Sequence, residues 1–364
     1  MSGGNHLFQP LHEGPLDIIG DIHGEIGALQ DLLGVLGYRR DGTHPAGRQL
    51  AFIGDLCDRG PDSPAVFAFV ADLVARGLAQ CLLGNHELNV LADDRKEGNG
   101  WFFAEDHDIA ADKFLTAARA GDADRAAIRD FIGRLPVVLE RPDLRLVHAA
   151  WDKAALMLLR GCRAPTRDIR DAYDDRAKAV AKEGGLDGRA AADKARYGAL
   201  LKDPDRPPPL LDSLGRLDVF EQMANPLRIT TSGPETLASA PFFAAGKWRM
   251  VDRVRWWDQY HAAVPVVIGH YWRWPAPGLR EAFTRGEKDL FDGTGMDGWL
   301  GRQRNVYCVD FGVGARYKER ARGATRFATR LGALRWPERE IVTDDGARLA
   351  LPPPGAAVRA ARSP

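Results

Sequence analysis

One recurring pattern constrains the fold of this chain most: a short apolar run ends in glycine, and a polar side chain follows at once. It occurs at Ile18-Ile19-Gly20 before Asp21, Phe52-Ile53-Gly54 before Asp55, Leu82-Leu83-Gly84 before Asn85, and Val267-Ile268-Gly269 before His270. Two variants lack the glycine: Leu146-Val147 before His148 and Cys308-Val309 before Asp310. Short, continuous, β-rich runs are typical of buried strands, and glycine at a strand end permits a sharp turn or a close approach. The pattern predicts polar side chains at the carboxyl ends of strands, where open α/β sheets place their sites.

Segments with helical periodicity lie between the first three of these predicted strands. Apolar residues recur at helical spacing over 26–36 and 66–73, and Pro64 before the second stretch suits the first turn of a helix. The alternation predicts βαβ units. Because the candidate ligands are spread over nearly the whole chain, we expect a single domain over 14–351, although 364 residues would on average form two or three domains.

Two segments are predicted to be helical insertions in this domain, 93–135 and 152–215. They are interpreted as surface helices and loops, or alternatively as a lid or partner surface, since long insertions beside sites are often functional. Further strands are predicted at 331–336, 340–343 and 348–351, with a hairpin signal at Asp345-Gly346. Residues 352–364 are rich in proline, alanine and arginine and are predicted to form a flexible tail.

The composition restricts the partners and the compartment. Fifty basic residues balance fifty acidic ones, so no stable nucleic-acid binding is expected. No run approaches the ~20 apolar residues of a membrane helix, and residues 1–15 lack the pattern of a signal peptide. The scattered cysteines form no CxxC pair and are predicted to be reduced. We therefore expect a cytoplasmic protein without membrane association.

The strand-end side chains offer carboxylate, imidazole and amide groups, with no thiolate. The candidate ligands are Asp21, His23, Asp55, Asn85, His148 and His270. This mixture suits manganese, iron, cobalt or zinc and is too rich in nitrogen for calcium. It is too large for one tetrahedral metal with an open position, but it suffices for two metals that share a bridging carboxylate. Two metals ~3.5–4 Å apart can clamp the attacking and leaving oxygens of a phosphoryl displacement.

Several motifs, in this order, resemble those of the calcineurin-like metallophosphoesterase family. They are Gly20-Asp21-Ile22-His23-Gly24, Gly54-Asp55-Leu56-Cys57-Asp58-Arg59-Gly60, Gly84-Asn85-His86-Glu87, Leu146-Val147-His148 and Ile268-Gly269-His270. Within the family, the chain resembles the branch that contains the Ser/Thr phosphoprotein phosphatases and the bacterial diadenosine tetraphosphatases. The resemblance covers about 14–340. It implies an α/β/β/α sandwich, in which two mixed sheets lie face to face with helices outside.

The resemblance also implies the role of each candidate residue. Asp21, His23 and Asp55 would hold the first metal, Asp55 would bridge, and Asn85, His148 and His270 would hold the second. His86 would act as the general acid, oriented by Asp58, and Arg59 would clamp a phosphate group. The attacking group would be a hydroxide that bridges the two metal ions. Manganese is favoured as the metal over iron, zinc or cobalt.

Four questions stay open in the sequence. The substrate is a phosphomonoester, either a phosphorylated small molecule or a Ser/Thr phosphoprotein, or alternatively a dinucleoside polyphosphate or other nucleotide. A metal-binding regulatory or scaffold protein without catalysis is the alternative of another class. A second phosphate-binding arginine is expected among Arg228, Arg249, Arg253 and Arg255. Trp272 and Trp274 either stack a nucleobase beside the metals or pack the core.

Overall fold

The fold, taken from a computed structural model, is described for residues 5–103, 114, 117–244, 246–276, 278–284 and 287–356. Within these residues the strands are β1 (Phe8–Pro10), β2 (Leu16–Ile19), β3 (Gln49–Phe52), β4 (Ala79–Cys81), β5 (Val138–Arg141), β6 (Leu144–Val147), β7 (Glu235–Ala244), β8 (Lys247–Arg253), β9 (Val266–Ile268), β10 (Val306–Cys308), β11 (Gly332–Trp336), β12 (Glu340–Thr343) and β13 (Arg348–Ala350). The helices are α1 (Ile26–Leu36), α2 (Ser63–Ala75), α3 (Asn85–Leu91), α4 (Asp122–Gly133), α5 (Lys153–Gly161), α6 (Thr166–Glu183), α7 (Leu186–Leu201), α8 (Asp212–Ala224), α9 (Pro226–Ser232), α10 (Leu279–Phe283) and α11 (Arg316–Ala321).

The strands form two mixed sheets and a separate two-stranded ribbon. One sheet has the order β13-β12-β11-β2-β3-β4, and its β2, β3 and β4 are parallel. The other has the order β1-β5-β6-β9-β10, and its β6, β9 and β10 are parallel. The ribbon pairs β7 with β8 in antiparallel fashion. The predicted pair of mixed sheets with helices is confirmed.

The two sheets pack face to face through alternating side chains. Ile18 of β2 and Leu146 of β6 belong to one buried cluster between the sheets. Their neighbours Ile19 and Val147 belong to different clusters, one under α1 and α2 and one on the outer face of the second sheet. Because successive side chains of a strand point to opposite faces, a continuous apolar run is needed wherever both faces are covered.

Local sequence signals account for the elements nearest the site. Helices α1 and α2 cover both predicted periodic stretches, and Asp62 caps α2 by accepting a hydrogen bond from the Ala65 N–H (2.9 Å). Strand β4 ends at Cys81, earlier than the run Leu82-Leu83 suggests. The Leu83 N–H turns away and donates to the Pro136 carbonyl (2.8 Å), so the apolar run outlasts the strand.

Charged contacts join the helices of 152–215 to the segment that follows α3. Arg170 on α6 lies 3.4 Å from Asp94. Asp174, also on α6, is buried and accepts bonds from Arg228 (2.9 and 2.8 Å) and Asn225 (2.8 Å). These contacts fasten the helices to the side of the molecule that carries α3. Whether they form a lid or a partner surface stays a prediction.

Two further observations complete the description. All four cysteines are free, and Cys57, Cys81 and Cys308 are buried. None of the helices in the described residues is both long and apolar enough to cross a membrane. The parts of the predicted insertion and tail at 104–113, 115–116 and 357–364 lie outside the described residues.

Candidate active site

The carboxyl ends of the parallel strands of both sheets meet at one place, and Asp55 lies at its centre. The Asp55 carboxylate is 3.3 Å from Nε2 of His148, 3.8 Å from Nε2 of His23 and 3.9 Å from Nε2 of His86. All four side chains are buried. Residues that are more than a hundred positions apart in the sequence therefore form one compact polar cluster.

Glycines at the strand ends allow the segments that carry this cluster to approach one another closely. Gly54 has a φ of +101°, and a Cβ there would lie 2.7 Å from the Gly84 nitrogen. At Gly269 a Cβ would lie 2.0 Å from a carboxylate oxygen of Asp21. The glycines at the strand ends are therefore needed because neighbouring segments approach too closely for any side chain.

Several site residues other than glycine have a left-handed backbone conformation. They are His23 (φ 48°), Asp55 (50°), Asp58 (74°), Arg59 (70°), His270 (69°) and Trp272 (50°). This conformation costs bulky residues about 1–3 kcal/mol and persists where the surrounding structure enforces it, often at functional sites.

The histidine rings are oriented by hydrogen bonds from Nδ1. His23 donates to the Cys57 carbonyl (2.8 Å), His148 to the Ile53 carbonyl (2.8 Å) and His270 to Oδ1 of Asn85 (2.9 Å). When the ring is neutral, each Nε2 therefore carries a lone pair. Nε2 of His148 and of His270 is buried without a hydrogen-bond partner. Orphaned imidazole nitrogens held in this way are the geometry expected of metal ligands.

Two overlapping groups could each hold a metal ion. In one group, ligand atoms of His23, Asp55 and His86 lie within 4.8 Å of one another, and in the other so do those of Asp55, His148 and His270. Asp55 is common to both, as a bridging carboxylate must be. A mixed carboxylate and imidazole set suits divalent manganese, iron, cobalt or zinc. The residues present therefore fit two metal ions.

Asp21 lies beside these groups and is in neither of them. Its carboxylate accepts a hydrogen bond from the His270 N–H (3.0 Å). Burial, and then the nearby charge of Asp310, raise the pKa of Asp21. Burial opposes ionisation of Asp55 too, but His148 and His86 outweigh it and hold the pKa of that carboxyl well below its usual range. Several carboxylates buried this close together need positive charge nearby.

His86 forms a chain of hydrogen bonds with two other side chains. Its Nδ1 donates to Oδ2 of Asp58, and Oδ1 of Asp58 accepts from the indole N–H of Trp101 (2.6 Å). Asp58 is fully buried. The family resemblance implied the contact between Asp58 and His86, whereas Trp101 lies in the 93–135 segment with no motif to mark it. A carboxylate on Nδ1 fixes the imidazole so that Nε2 faces the site.

Arg59 contacts two histidines of the cluster and one tryptophan beside it. Its guanidinium donates to Nε2 of His23 (2.8 Å) and of His86 (3.1 Å), and lies over the ring of Trp272, 5.1 Å from the centroid. Each imidazole lone pair serves one partner. A metal ion held by Nε2 of His23 would therefore compete with the hydrogen bond from Arg59.

Glu87 connects two of the motifs from beneath. Its buried carboxylate accepts hydrogen bonds from the N–H groups of Asp55 (2.8 Å), Leu56 (2.8 Å) and Gly84 (3.0 Å). Burial and the charge of Asp55 raise its pKa to about 6. The residue fixes the backbone of the bridging carboxylate relative to the start of α3.

The four candidate arginines differ in their partners. Arg228 is engaged by Asp174, and Arg255 lies 3.1 Å from a carboxylate oxygen of Asp258. Arg249 and Arg253 on β8 have no ion pair within 4.0 Å among the residues the structure describes. Arg253 lies over the ring of Tyr271, 5.7 Å from the centroid, and after burial its charge is the main cause that lowers the pKa of His270.

Parts of the chain are similar to known proteins. Residues 14–151 match the model of the family described as calcineurin-like phosphoesterase. The chain is 49% identical over 74 residues to the asymmetrical bis(5'-nucleosyl)-tetraphosphatase PrpE of Oceanobacillus iheyensis, a match that covers 20% of this chain and 30% of that protein. The same protein of Geobacillus thermodenitrificans gives the same identity and coverage. The chain thus spans less than a third of the length of these curated relatives.

A solved structure covers more of the chain at lower identity. The cold-active protein-tyrosine phosphatase of a psychrophilic Shewanella species is 16% identical, with a TM-score of 0.47. The match covers 95% of this chain and 82% of that one.

Proposed function

Through residues 14–151 the chain belongs to the calcineurin-like phosphoesterase family, and from this premise we propose that it uses two divalent metal ions to hydrolyse a phosphate ester or anhydride. The observation that carries the proposal is that Asp55 belongs to two separate groups of potential ligands, one with His23 and one with His148 and His270, whose Nε2 atoms are buried without hydrogen-bond partners. A single structural metal would need only one such group.

The described residues would divide the two ions between them. His23 and Asp55, with Asp21 close by, would hold the first ion, and Asp55, His148 and His270, with Asn85, the second. Bound ions at this place supply positive charge that neutralises phosphoryl oxygens and activates water for attack. Manganese is the proposed metal, with iron, zinc and cobalt as alternatives.

The protein side chains would perform the remaining steps. Arg59, released from His23, would bind phosphoryl oxygens with its planar fork. His86 would donate a proton from Nε2 to the leaving oxygen, and Asp58 would hold the ring in place through Nδ1. A protonated Nε2 cannot accept a hydrogen bond from Arg59, so protonation of His86 also favours the release of the guanidinium. Arg253 is the proposed second phosphate-binding arginine, since it lies beside His270 and is not ion-paired in the described structure.

We propose a phosphomonoester, on a small molecule or a phosphoprotein, as the first substrate to test. A dinucleoside polyphosphate is the second, because the curated relatives are named bis(5'-nucleosyl)-tetraphosphatases. The two differ in the leaving group and share the chemistry at phosphorus.

The test is hydrolysis by metal-free protein refilled with manganese. Para-nitrophenyl phosphate and diadenosine tetraphosphate are assayed side by side with wild-type protein, His86→Asn, and His261→Asn as a matched control at an exposed histidine. We expect hydrolysis of at least one substrate, loss of activity on chelation, and a fall in kcat of about 10²–10⁴-fold in His86→Asn only. Manganese-loaded protein that hydrolyses neither substrate would overturn the proposal and favour a metal-binding regulator.

A further inference from the structure

Two pairs of tryptophans, one before and one after β9 in the sequence, have different surroundings. Trp256 and Trp257 are 7% and 1% exposed and pack in the cluster on the outer face of the second sheet. Trp272 and Trp274 are only partly buried and belong to none of the buried clusters in the described structure. Core packing therefore accounts for the first pair and leaves the second pair unexplained.

Trp272 and Trp274 begin a continuous row of rings that starts at the phosphate-clamp arginine. Trp272 lies under the guanidinium of Arg59 and meets Trp274 edge to face, with 5.5 Å between ring centroids. Trp274 in turn stacks on Phe283, with 5.2 Å between centroids and 3° between ring planes. Through these contacts the row connects Arg59, at the candidate metal site, to Phe283.

A buried carboxylate fixes the inner end of this row. Asp310 accepts hydrogen bonds from the backbone N–H of Trp272 (2.8 Å) and of Gly312 (2.9 Å). It thereby holds Trp272 at a φ of 50°, a conformation that bulky residues rarely adopt. Gly312 lies against the ring of Trp274, because a Cβ there would be 3.2 Å from it. Asp310 therefore fixes the backbone of Trp272 directly and that of Gly312, the glycine beside the Trp274 ring.

Cations accompany the row at both ends. Arg59 lies at the inner end, and at the outer end Arg322 and Lys318 lie 5.3 and 5.8 Å from the centroid of Phe283. Partly exposed aromatic rings flanked by basic side chains are typical of surfaces that stack nucleobases and bind phosphates. The phosphorylated serine or threonine of a protein substrate would have no ring to stack on such a surface.

We propose that the row Trp272-Trp274-Phe283, referred to below as the aromatic row, stacks the nucleobase of a nucleotide substrate whose phosphate lies at the metal centre. The inference rests on the proposed function for the position of the phosphate and adds the chemical class of the group attached to it. Trp272 and Trp274 are then specificity-determining residues. Arg59 joins the two parts of the site, because it contacts both the cluster and the first ring.

The test compares two ligands that differ only in the base, adenosine 5'-monophosphate and ribose 5-phosphate. Their dissociation constants are measured by calorimetry on manganese-loaded protein that carries His86→Asn to slow turnover. One stacked base contributes about 5- to 150-fold in affinity. We expect the adenosine nucleotide to bind more tightly than ribose 5-phosphate by a factor in this range.

Three variants locate the preference. Trp274→Leu should bring the affinity ratio of the two ligands close to one, since this indole does not touch Arg59 in the described structure. Trp272→Leu should lower the ratio and weaken both ligands, because Arg59 loses its aromatic support. Trp248→Leu is the control, a partly buried tryptophan on β8 whose indole N–H donates to the Asp203 carbonyl (2.7 Å). It should leave the ratio unchanged, and the ratio does not depend on the fraction of folded protein.

The outcomes separate this inference from the proposed function. Equal binding of the two ligands, or a ratio that survives in both Trp272→Leu and Trp274→Leu, would refute the aromatic row as a base-binding surface. A preference for a phosphotyrosyl over a phosphoseryl peptide without any preference for the base would assign the row to a protein substrate instead. A base preference in a protein that hydrolyses no phosphate would support the row and refute the hydrolase.

Discussion

Replacing Glu87 by glutamine keeps the shape of a fully buried side chain and removes its charge. The carboxylate accepts three backbone hydrogen bonds, two at one oxygen, from Asp55 and Gly84, and one at the other, from Leu56. The amide of glutamine has only one accepting atom. If the amide oxygen keeps the hydrogen bonds from Asp55 and Gly84, the –NH₂ group faces the Leu56 N–H. Two donors then point at each other and no hydrogen bond forms.

The size of the effect follows from these contacts. One hydrogen bond to a charged group, worth about 1.5–3 kcal/mol, is lost, and a buried N–H left without an acceptor costs about 1–3 kcal/mol more. The two retained bonds weaken because their acceptor becomes neutral. Against this, the amide avoids the cost of burying a charge. We expect Glu87→Gln to lower the free energy of unfolding by about 2–4 kcal/mol, a large part of the total of a typical domain.

The assay is urea unfolding of the wild type, Glu87→Gln and Glu183→Gln, followed by circular dichroism. Glu183 is exposed at the end of α6, so its substitution should change the free energy of unfolding by less than about 0.5 kcal/mol. If Glu87→Gln unfolds at the same urea concentration as this control, the charge of Glu87 and its contact with the Leu56 N–H contribute no net stability and the reasoning is wrong.

Three further changes have expected outcomes. Asp58→Asn should lower kcat by about 10²–10⁴-fold with unchanged manganese content, because the general acid loses its orienting carboxylate; steady-state kinetics with metal analysis would show otherwise if kcat stays the same. Gly54→Ala should prevent folding, since φ is +101° and the new Cβ would lie 2.7 Å from a backbone nitrogen. Gly27→Ala in α1, with open space around it, should fold normally, and circular dichroism distinguishes the two outcomes. Although burial opposes it, Arg228 holds the pKa of Asp174 below its usual value, so ionised Asp174 stabilises the fold above about pH 4 and this contribution is lost as pH falls through the lowered pKa. Asp174→Asn should therefore destabilise the protein by about 1–3 kcal/mol at pH 7, with a difference that shrinks below about pH 4 in urea unfolding; a difference independent of pH would contradict this.

Predictions from local patterns agree with the structure where neighbouring residues decide the outcome. Helices α1 and α2 occupy the predicted stretches, and β2, β6 and β9 cover the apolar runs that end at Ile19, Val147 and Ile268, whereas β3 ends at Phe52, one residue before its run does. The strand-end motifs converge because carboxyl ends of parallel strands meet at one edge. The early end of β4 was not predictable, because it depends on a contact between Leu83 and Pro136, 53 positions away in the sequence.

Contacts between distant segments account for the features that sequence reasoning missed. Trp101 reaches Asp58 from a segment without a motif, and Asp310, though it follows a predicted strand, was given no role. The choice among the candidate arginines also needed the structure, because Arg228 is removed from consideration only by its pairing with Asp174. The structure was also needed to separate the tryptophans that pack in the core from Trp272 and Trp274, because sequence spacing does not distinguish the two positions.

The sequence by itself determined the classes of residue that can bind metal, their order along the chain and the strands that carry them. These properties depend on side-chain chemistry and on short-range periodicity, which a linear sequence displays directly. The tertiary structure alone decided that Asp55 lies between two ligand groups, that Arg59 joins them to Trp272, and which polar atoms are buried without partners. Such facts depend on how the two sheets pack, since packing sets which distant side chains share a few ångströms of space and which atoms water can reach.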